Sequence, residues 1–297
     1  MSGSGLRAPA VAGQFYPAGG AELARAIEAC FRDPRGPGEL PARHRSPGRT
    51  VRAAVVPHAG YEFSGPIAAL AYARIAVDRA PATVLVLGVD HYGLGAGPCL
   101  SDRDWLTPIG PTAVDHDLVR ALDHPPLRID EPAQAREHSI EVQLPFLEYV
   151  LPKPRFVALQ VRFGPFDELV EAAETVRRAI AGRDVLLLAS TDFSHYLPAR
   201  TAERLDRLAI DAILARDARL LYETVASNDI SMCGIAPTTV LLAALAEESL
   251  TARLLRWGHS GEAQPMREVV GYASLLLETD PPGERTSGDR LDRPGTI

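Results

Sequence analysis

At 297 residues, with 46% hydrophobic and 23% charged side chains, the chain has the composition of a globular protein with a sizeable core. Its net charge of −7 removes the electrostatic basis for binding nucleic acid or an anionic membrane surface. No apolar run reaches the ~18 residues of a membrane span, and the opening MSGSGLRAPA lacks an apolar signal core, so a cytoplasmic protein is expected.

In chain order, residues 1–19 are rich in Gly, Pro and Ala, with GQFYP (Gly13–Pro17) as the aromatic anchor. Helical spacing of apolar residues predicts a helix over Ala21–Phe31, and the Pro/Gly/Arg-rich stretch Arg32–Arg49 reads as a mobile loop. A buried strand is predicted over Val51–Val56, running through Pro57 into a loop with His58 and then a helix over Pro66–Val77. A second buried strand, Thr83–Gly88, ends at Asp90 and His91, and residues 94–114 read as an excursion of short strands. Helices are predicted over Asp115–Leu122 and Glu137–Val150, a strand over Arg155–Val161 and an amphipathic helix over Phe166–Ala181. The strand Val185–Ser190 runs into Thr191, Asp192, Phe193, Ser194 and His195. Two more helices (Ala202–Ala215, Arg219–Ala226), an apolar helix just after Cys233 and two late strands (Ala252–Trp257, Val269–Glu278) complete the pattern. Residues 281–297 read as a disordered tail, leaving one domain over 1–280. Alternating strands and helices from Val51 onward imply an α/β sandwich with a central, mostly parallel, mixed sheet flanked by helices.

Three strands therefore deliver polar residues at their C-terminal ends: His58, then Asp90 with His91, then Asp192 with His195. In a parallel sheet those ends share one edge, where open α/β folds bind ligands. Cys233 adds a soft donor in a Gly-containing turn, and His138 adds an imidazole beside Glu137 and Glu141. Each taken singly has an ordinary reading, since a loop histidine is more often hydrogen-bonded than ligating and a cysteine before an apolar helix is usually a small buried hydrophobe. His44, His116, His124 and His259 keep that ordinary reading. The repetition of histidine at three strand ends raises a metal site to an even alternative, and spacing alone goes no further.

Other chemistries lack their signatures. Cys30, Cys99 and Cys233 show no CxxC spacing, and the lone lysine, Lys153, sits in a proline-flanked turn with no P-loop around it. No GxGxxG follows a strand, and GHSG at Gly258–Gly261 has the wrong register for a nucleophilic serine. A Cys–His nucleophile built on Cys233 stays open.

The blocks PHAGYEFSG (Pro57–Gly65), LGVDHYG (Leu87–Gly93), EHSIEVQLPFL (Glu137–Leu147), STDFSHY (Ser190–Tyr196) and MCGIAPT (Met232–Thr238) resemble, in this order, the signature blocks of the Memo family, also called AmmeMemoRadiSam system protein B. RAPAVAGQFYP and VVGYASL match as well, so the resemblance spans nearly the whole chain outside Arg32–Arg49 and the tail. It implies a fold like that of class III extradiol dioxygenases and a metal site of His58, His91 and Cys233 holding iron or copper. It also implies that Asp192, His195 and His138 line the same pocket; there His195 is expected as the acid/base, Asp192 as the residue that orients a ligand or His195, and His138 as one that gates or binds a small-molecule substrate. The dioxygenases use a carboxylate where this chain has Cys233, and thiolate favours softer Cu(I) or Zn, so the fold does not by itself establish the activity. Three functions follow from the resemblance: redox or oxygen-dependent chemistry, a non-catalytic partner-binding module linked to radical-SAM and AMMECR1-type proteins, and, more weakly, zinc-assisted hydrolysis.

Overall fold

The computed structural model describes residues 5–43 and 46–279; His44 and the tail at 281–297 lie outside the described residues. Among the described residues ten strands form one mixed sheet: β1 (Val51–Val56), β2 (Thr83–Val89), β3 (Cys99–Leu100), β4 (Trp105–Thr107), β5 (Gly110–Val114), β6 (Arg128–Ile129), β7 (Arg155–Val161), β8 (Val185–Ser190), β9 (Thr251–His259) and β10 (Gly271–Glu278). Their order is β4-β5-β7-β2-β8-β1-β10-β9, with β3 and β6 off this path. The five strands from β5 to β1 are parallel to one another; β4 pairs antiparallel with β5, β10 antiparallel with β1, and β9 antiparallel with β10. β2, β7 and β8 read as near-continuous runs of Val, Leu and Ala because both faces of a parallel sheet are covered.

The helices are α1 (Gly20–Arg32), α2 (Tyr61–Val77), α3 (His116–Leu122), α4 (Glu131–Gln134), α5 (Leu144–Val150), α6 (Phe166–Ile180), α7 (Ala199–Leu214), α8 (Ala218–Ser227) and α9 (Ile235–Ala244). α1, α2 and α5 pack together on one side of the sheet; α6, α8 and α9 pack together on the other, with α7 against α8 and β9. α2 and α9 touch the sheet directly and are apolar nearly all round, as helices sandwiched on both sides must be.

Two expectations fail for identifiable reasons. The helix expected to start at Pro66 begins at Tyr61, because the carbonyl that Pro66 leaves without its helical N–H, that of Glu62, accepts a hydrogen bond from Arg35 Nη2 (3.2 Å). The same contact docks the first part of the α1–β1 connection, which composition alone marks as mobile. The single helix expected over Glu137–Val150 does not form. Glu137 Oε1 instead accepts the backbone N–H groups of His138 and Ser139 (2.8 Å each), a 3₁₀ turn follows over Glu141–Gln143, and Pro145 sits in the first turn of the short α5.

The N-terminal segment is tied down by one buried carboxylate. Glu141 accepts from Arg7 Nη1 (2.6 Å), the N–H of Ala10 (2.8 Å) and Val11 (3.0 Å), and the Tyr16 hydroxyl (2.7 Å). The guanidinium of Arg7 also lies over the Trp105 ring and donates to the carbonyls of Gln134 and Glu137. This ion pair is fully hydrogen-bonded, the condition under which buried charges are tolerated.

Candidate metal centre

β2, β8 and β1 are neighbours in the parallel part of the sheet, so their C-terminal ends deliver His91, Asp192 and His58 to one edge. The turn before α9 brings Cys233 to the same place. Gly234 is required there: a Cβ on it would fall 2.3 Å from Thr191 Cβ and 2.8 Å from the Ser190 carbonyl. Gly88 plays the matching part on β2, where a Cβ would lie 2.4 Å from Ile140 and 2.6 Å from Ser139 Oγ. That close approach lays the segment carrying Glu137 against the end of β2.

The ligand atoms of His58, His91 and Cys233 lie within 4.8 Å of one another, and Cys233 Sγ is 3.4 Å from His58 Nε2. Two donors bound to one tetrahedral ion of zinc-like radius sit about 3.6 Å apart, so this pair already has the spacing of ligands around a common ion. The chemistry of the set also fits, with two imidazole nitrogens and a soft sulfur.

Hydrogen bonds fix which nitrogen each ring presents. Ser190 Oγ donates its one proton to the Ser139 carbonyl (2.7 Å) and accepts from Gln143 Nε2 (2.8 Å). His58 Nδ1, 2.9 Å from the same oxygen, must therefore be the donor, which leaves Nε2 bare and facing Cys233. The orientation of Gln143 is set in turn: Nε2 also donates to the Pro57 carbonyl (2.9 Å), and Oε1 accepts from the Tyr72 hydroxyl (2.7 Å). Burial, reinforced by the neighbouring histidines, holds the His58 pKa well below the ordinary imidazole value, so the ring is neutral and its lone pair available.

His91 is held differently. Its Nδ1–H meets Glu137 Oε1 at 2.9 Å and its backbone N–H meets Oε2 at 3.0 Å. Burial alone would raise the Glu137 pKa, but the hydrogen bond from His91, the two nearby imidazoles and the Ser139 N–H bring it down to about 2. The carboxylate is thus charged, and His91 presents Nε2 to the site. Among the described residues a second grouping, His91, Glu137 and His138, also has close ligand atoms, but the Glu137 carboxylate already receives four donors and has little left for an ion.

Cys233 Sγ accepts the Asp192 N–H (3.2 Å) and lies 4.0 Å from Thr191 Oγ1. Burial and the Asp192 charge push its thiol pKa up, so a cation that draws on the sulfur must displace a proton. Asp192 Oδ1 accepts the His58 backbone N–H at 2.8 Å. Burial raises the Asp192 carboxyl to about 6 despite that bond and the nearby histidines.

His195 stands outside the three-donor cluster. Its backbone N–H donates to Ser231 Oγ (2.7 Å) and its Nδ1 lies 2.8 Å from the Ser231 carbonyl, so Nδ1 carries the proton and Nε2 is free. The next residue, Tyr196, is held at φ +57° and is exposed beside it. His138 stacks on His91 (centroids 4.4 Å apart) and packs against Phe15 (4.7 Å), and burial lowers its pKa to about 4. Asp90 does not join the site; its oxygens accept from the N–H groups of Leu94 and Gly95 and shape the loop after β2. His116, His124 and His259 are absent from the donor groupings found among the described residues. The buried Ser190 and Gln143 and the exposed Ser231 escape a sequence reading because serines and glutamines carry no periodic or motif signal of their own.

The family model of Memo-like proteins matches residues 7–276. A MEMO1 family protein of Methanopyrus kandleri is 40% identical over 279 residues, covering 91% of this chain and 98% of the relative. One from Methanothermobacter thermautotrophicus is 37% identical over 277 residues, with 91% and 99% covered. In fold, the chain is similar to the crystal structure of an uncharacterized protein from Escherichia coli K12, with a TM-score of 0.51 at 13% identity, over 76% of this chain and 99% of that one. No helix among the described residues is long and apolar enough to cross a membrane. The chain belongs to the Memo family.

Proposed function

We propose that this Memo-family chain is a metalloprotein whose His58, His91 and Cys233 hold iron or copper and carry out redox or oxygen-dependent chemistry on a small molecule. The observation that carries the reading is the double preparation of the imidazoles. Each has Nδ1 committed to a partner and Nε2 free, and the free nitrogen of His58 lies 3.4 Å from Cys233 Sγ. When bound there, an iron or copper ion would supply redox capacity and Lewis acidity.

The chain's own groups divide the remaining work. His195, with Nε2 free and Nδ1 anchored on the Ser231 carbonyl, accepts a proton from substrate and returns it to product. Asp192 fixes the His58 backbone, and its own N–H supports the sulfur of Cys233. His138, neutral at pH 7, stands beside His91 as a substrate contact that adds no charge.

Metal analysis of the protein purified without oxygen, beside His58→Ala and Cys233→Ala, tests the ligands: both variants should lose the metal, and equal content in all three would sink the site. Oxygen uptake by the iron-loaded protein over a panel of catechols tests the chemistry. Uptake lost in His195→Ala supports it, and no uptake with any compound favours a non-catalytic binding module.

A further inference from the structure

His195 stands on a bulge in an otherwise paired segment. After β8 the chain runs beside the start of β10: the Phe193 N–H donates to the Gly271 carbonyl and the Gly271 N–H to the Ser194 carbonyl, both at 2.8 Å. Leu197 pairs in turn with Val269. His195 and Tyr196 therefore lie between two pairings with only Val270 opposite, the arrangement by which a β-bulge re-aims a side chain. Those pairings hold Tyr196 at φ +57° although its ring is exposed.

A buried carboxylate from α7 backs this bulge. Asp206 Oδ1 accepts the Ser194 N–H (2.9 Å) and the Ser194 hydroxyl, and Oδ2 accepts the Trp257 indole N–H from β9 (2.8 Å). Three donors on two oxygens suit a carboxylate and not an amide, whose NH2 would face one of them. The backbone is cut away to admit the acid: a Cβ on Gly271 would lie 1.9 Å from Asp206 Oδ2. These three partners are neutral, and burial raises the Asp206 pKa. A carboxylate buried among neutral partners is costly, and what it secures is the segment before His195. Three successive N–H groups, of Phe193, Ser194 and His195, thus go to three different elements through Gly271, Asp206 and Ser231.

We propose that Asp206 is the positioning residue of His195: by holding Ser194 it fixes the bulge so that the imidazole meets the Ser231 carbonyl through Nδ1–H and keeps Nε2 free. The inference rests on the acid/base role given to His195. Asp206 is not itself a catalytic group; its effect passes through Ser194.

Two-bond 1H–15N NMR of the histidine rings tests it, on the full metal-free chain at a pH well above the ordinary imidazole pKa. The signals missing from His195→Gln identify those of His195. In the unaltered chain His195 should carry its proton on Nδ1. Asp206→Asn should lower the ratio of that tautomer to the Nε2–H form by at least about tenfold, the scale of one charge-assisted hydrogen bond. Ser194→Ala removes one donor to the carboxylate and should lower the ratio in the same direction; it decides the question if Asp206→Asn does not fold. Trp257→Phe frees Oδ2 and leaves Ser194 held, so it should keep the ratio within about twofold. An unchanged ratio in folded Asp206→Asn, or in Ser194→Ala where the first variant does not fold, would overturn the proposal. So would a proton on Nε2 in the unaltered chain, or a loss in Trp257→Phe as large as in Asp206→Asn. The NMR measurement uses neither metal nor substrate. Oxygen uptake retained in His195→Ala would therefore remove the acid/base role while the positioning of the ring by Asp206 still stood.

Discussion

The two histidines of the candidate centre are held by opposite means. His58 is 2% exposed and leans on a chain of neutral groups, Ser190, Gln143 and Tyr72, each fixed by the next. His91 has a quarter of its side chain exposed and leans on a buried charge, Glu137. Burial keeps the first ring neutral without any ionic partner. The second faces solvent and takes its tautomer and orientation from an anion. The contrast teaches that one arm draws its order from the packed interior and the other from electrostatics, so the two should fail under different insults.

Glu137→Gln should do the most damage, because it removes the charge opposite His91 and disturbs a carboxylate with four donors. We expect a loss of about 3 kcal/mol in the metal-free protein, and a fall in metal affinity of roughly 10- to 100-fold. Chemical denaturation and a competitive metal titration measure the two; unchanged values in both would remove Glu137 from the account.

Acid should attack the same arm. The His138 pKa lies below the ordinary 6.5, at about 4, so the folded state binds its proton less readily than the unfolded chain. The stabilisation is complete above pH 6.5 and lost as the pH falls through 4. Glu137 is depressed from 4.5 to about 2, so its contribution is complete above 4.5 and lost toward 2. Protonation of His138 should therefore cost the metal-free protein up to about 3 kcal/mol between pH 6.5 and 4, a window in which His58, also held below the ordinary value, adds to the loss and Asp192, raised to about 6, opposes it. His138→Gln should remove its own share of that decline and leave the Glu137 stage in place; an identical pH profile in the variant would contradict the assignment.

Ser190→Ala probes the neutral arm. It strips partners from His58 Nδ1, Gln143 Nε2 and the Ser139 carbonyl. A cost of about 1–3 kcal/mol is expected, with metal affinity lowered by about tenfold and little change in the pH profile. A pH profile altered as strongly as by His138→Gln would erase the distinction between the arms. Asp90→Ala should do least. Its carboxylate only holds the Leu94 and Gly95 N–H groups, so stability should drop by about 1 kcal/mol with metal affinity intact. A loss of metal in this variant would bring Asp90 back into the site.

Much of the fold was legible because its signals are strong and local: apolar runs at β1, β2 and β8 that stop at polar residues, with helical periodicity between them. The convergence of His58, His91 and Asp192 followed from parallel strands sharing an edge. The choice of Cys233 as the third donor came from family resemblance, since the contact between the α9 turn and β8 spans 42 residues and rests on the missing Cβ of Gly234. The stretch Glu137–Ser139 was misread as helix because its apolar spacing is helical, while the force that opens it is a side chain capturing its own backbone. The Ser190–Gln143–Tyr72 chain was invisible for a related reason: hydrogen-bond partners distant in sequence leave no pattern along it.

X-ray absorption at the edge of the bound metal tests the central claim most directly. The account predicts one sulfur and two imidazole nitrogens around the ion, with the sulfur gone in Cys233→Ser and one imidazole gone in His58→Ala. A spectrum without sulfur in the unaltered protein, or one that neither substitution changes, would contradict it.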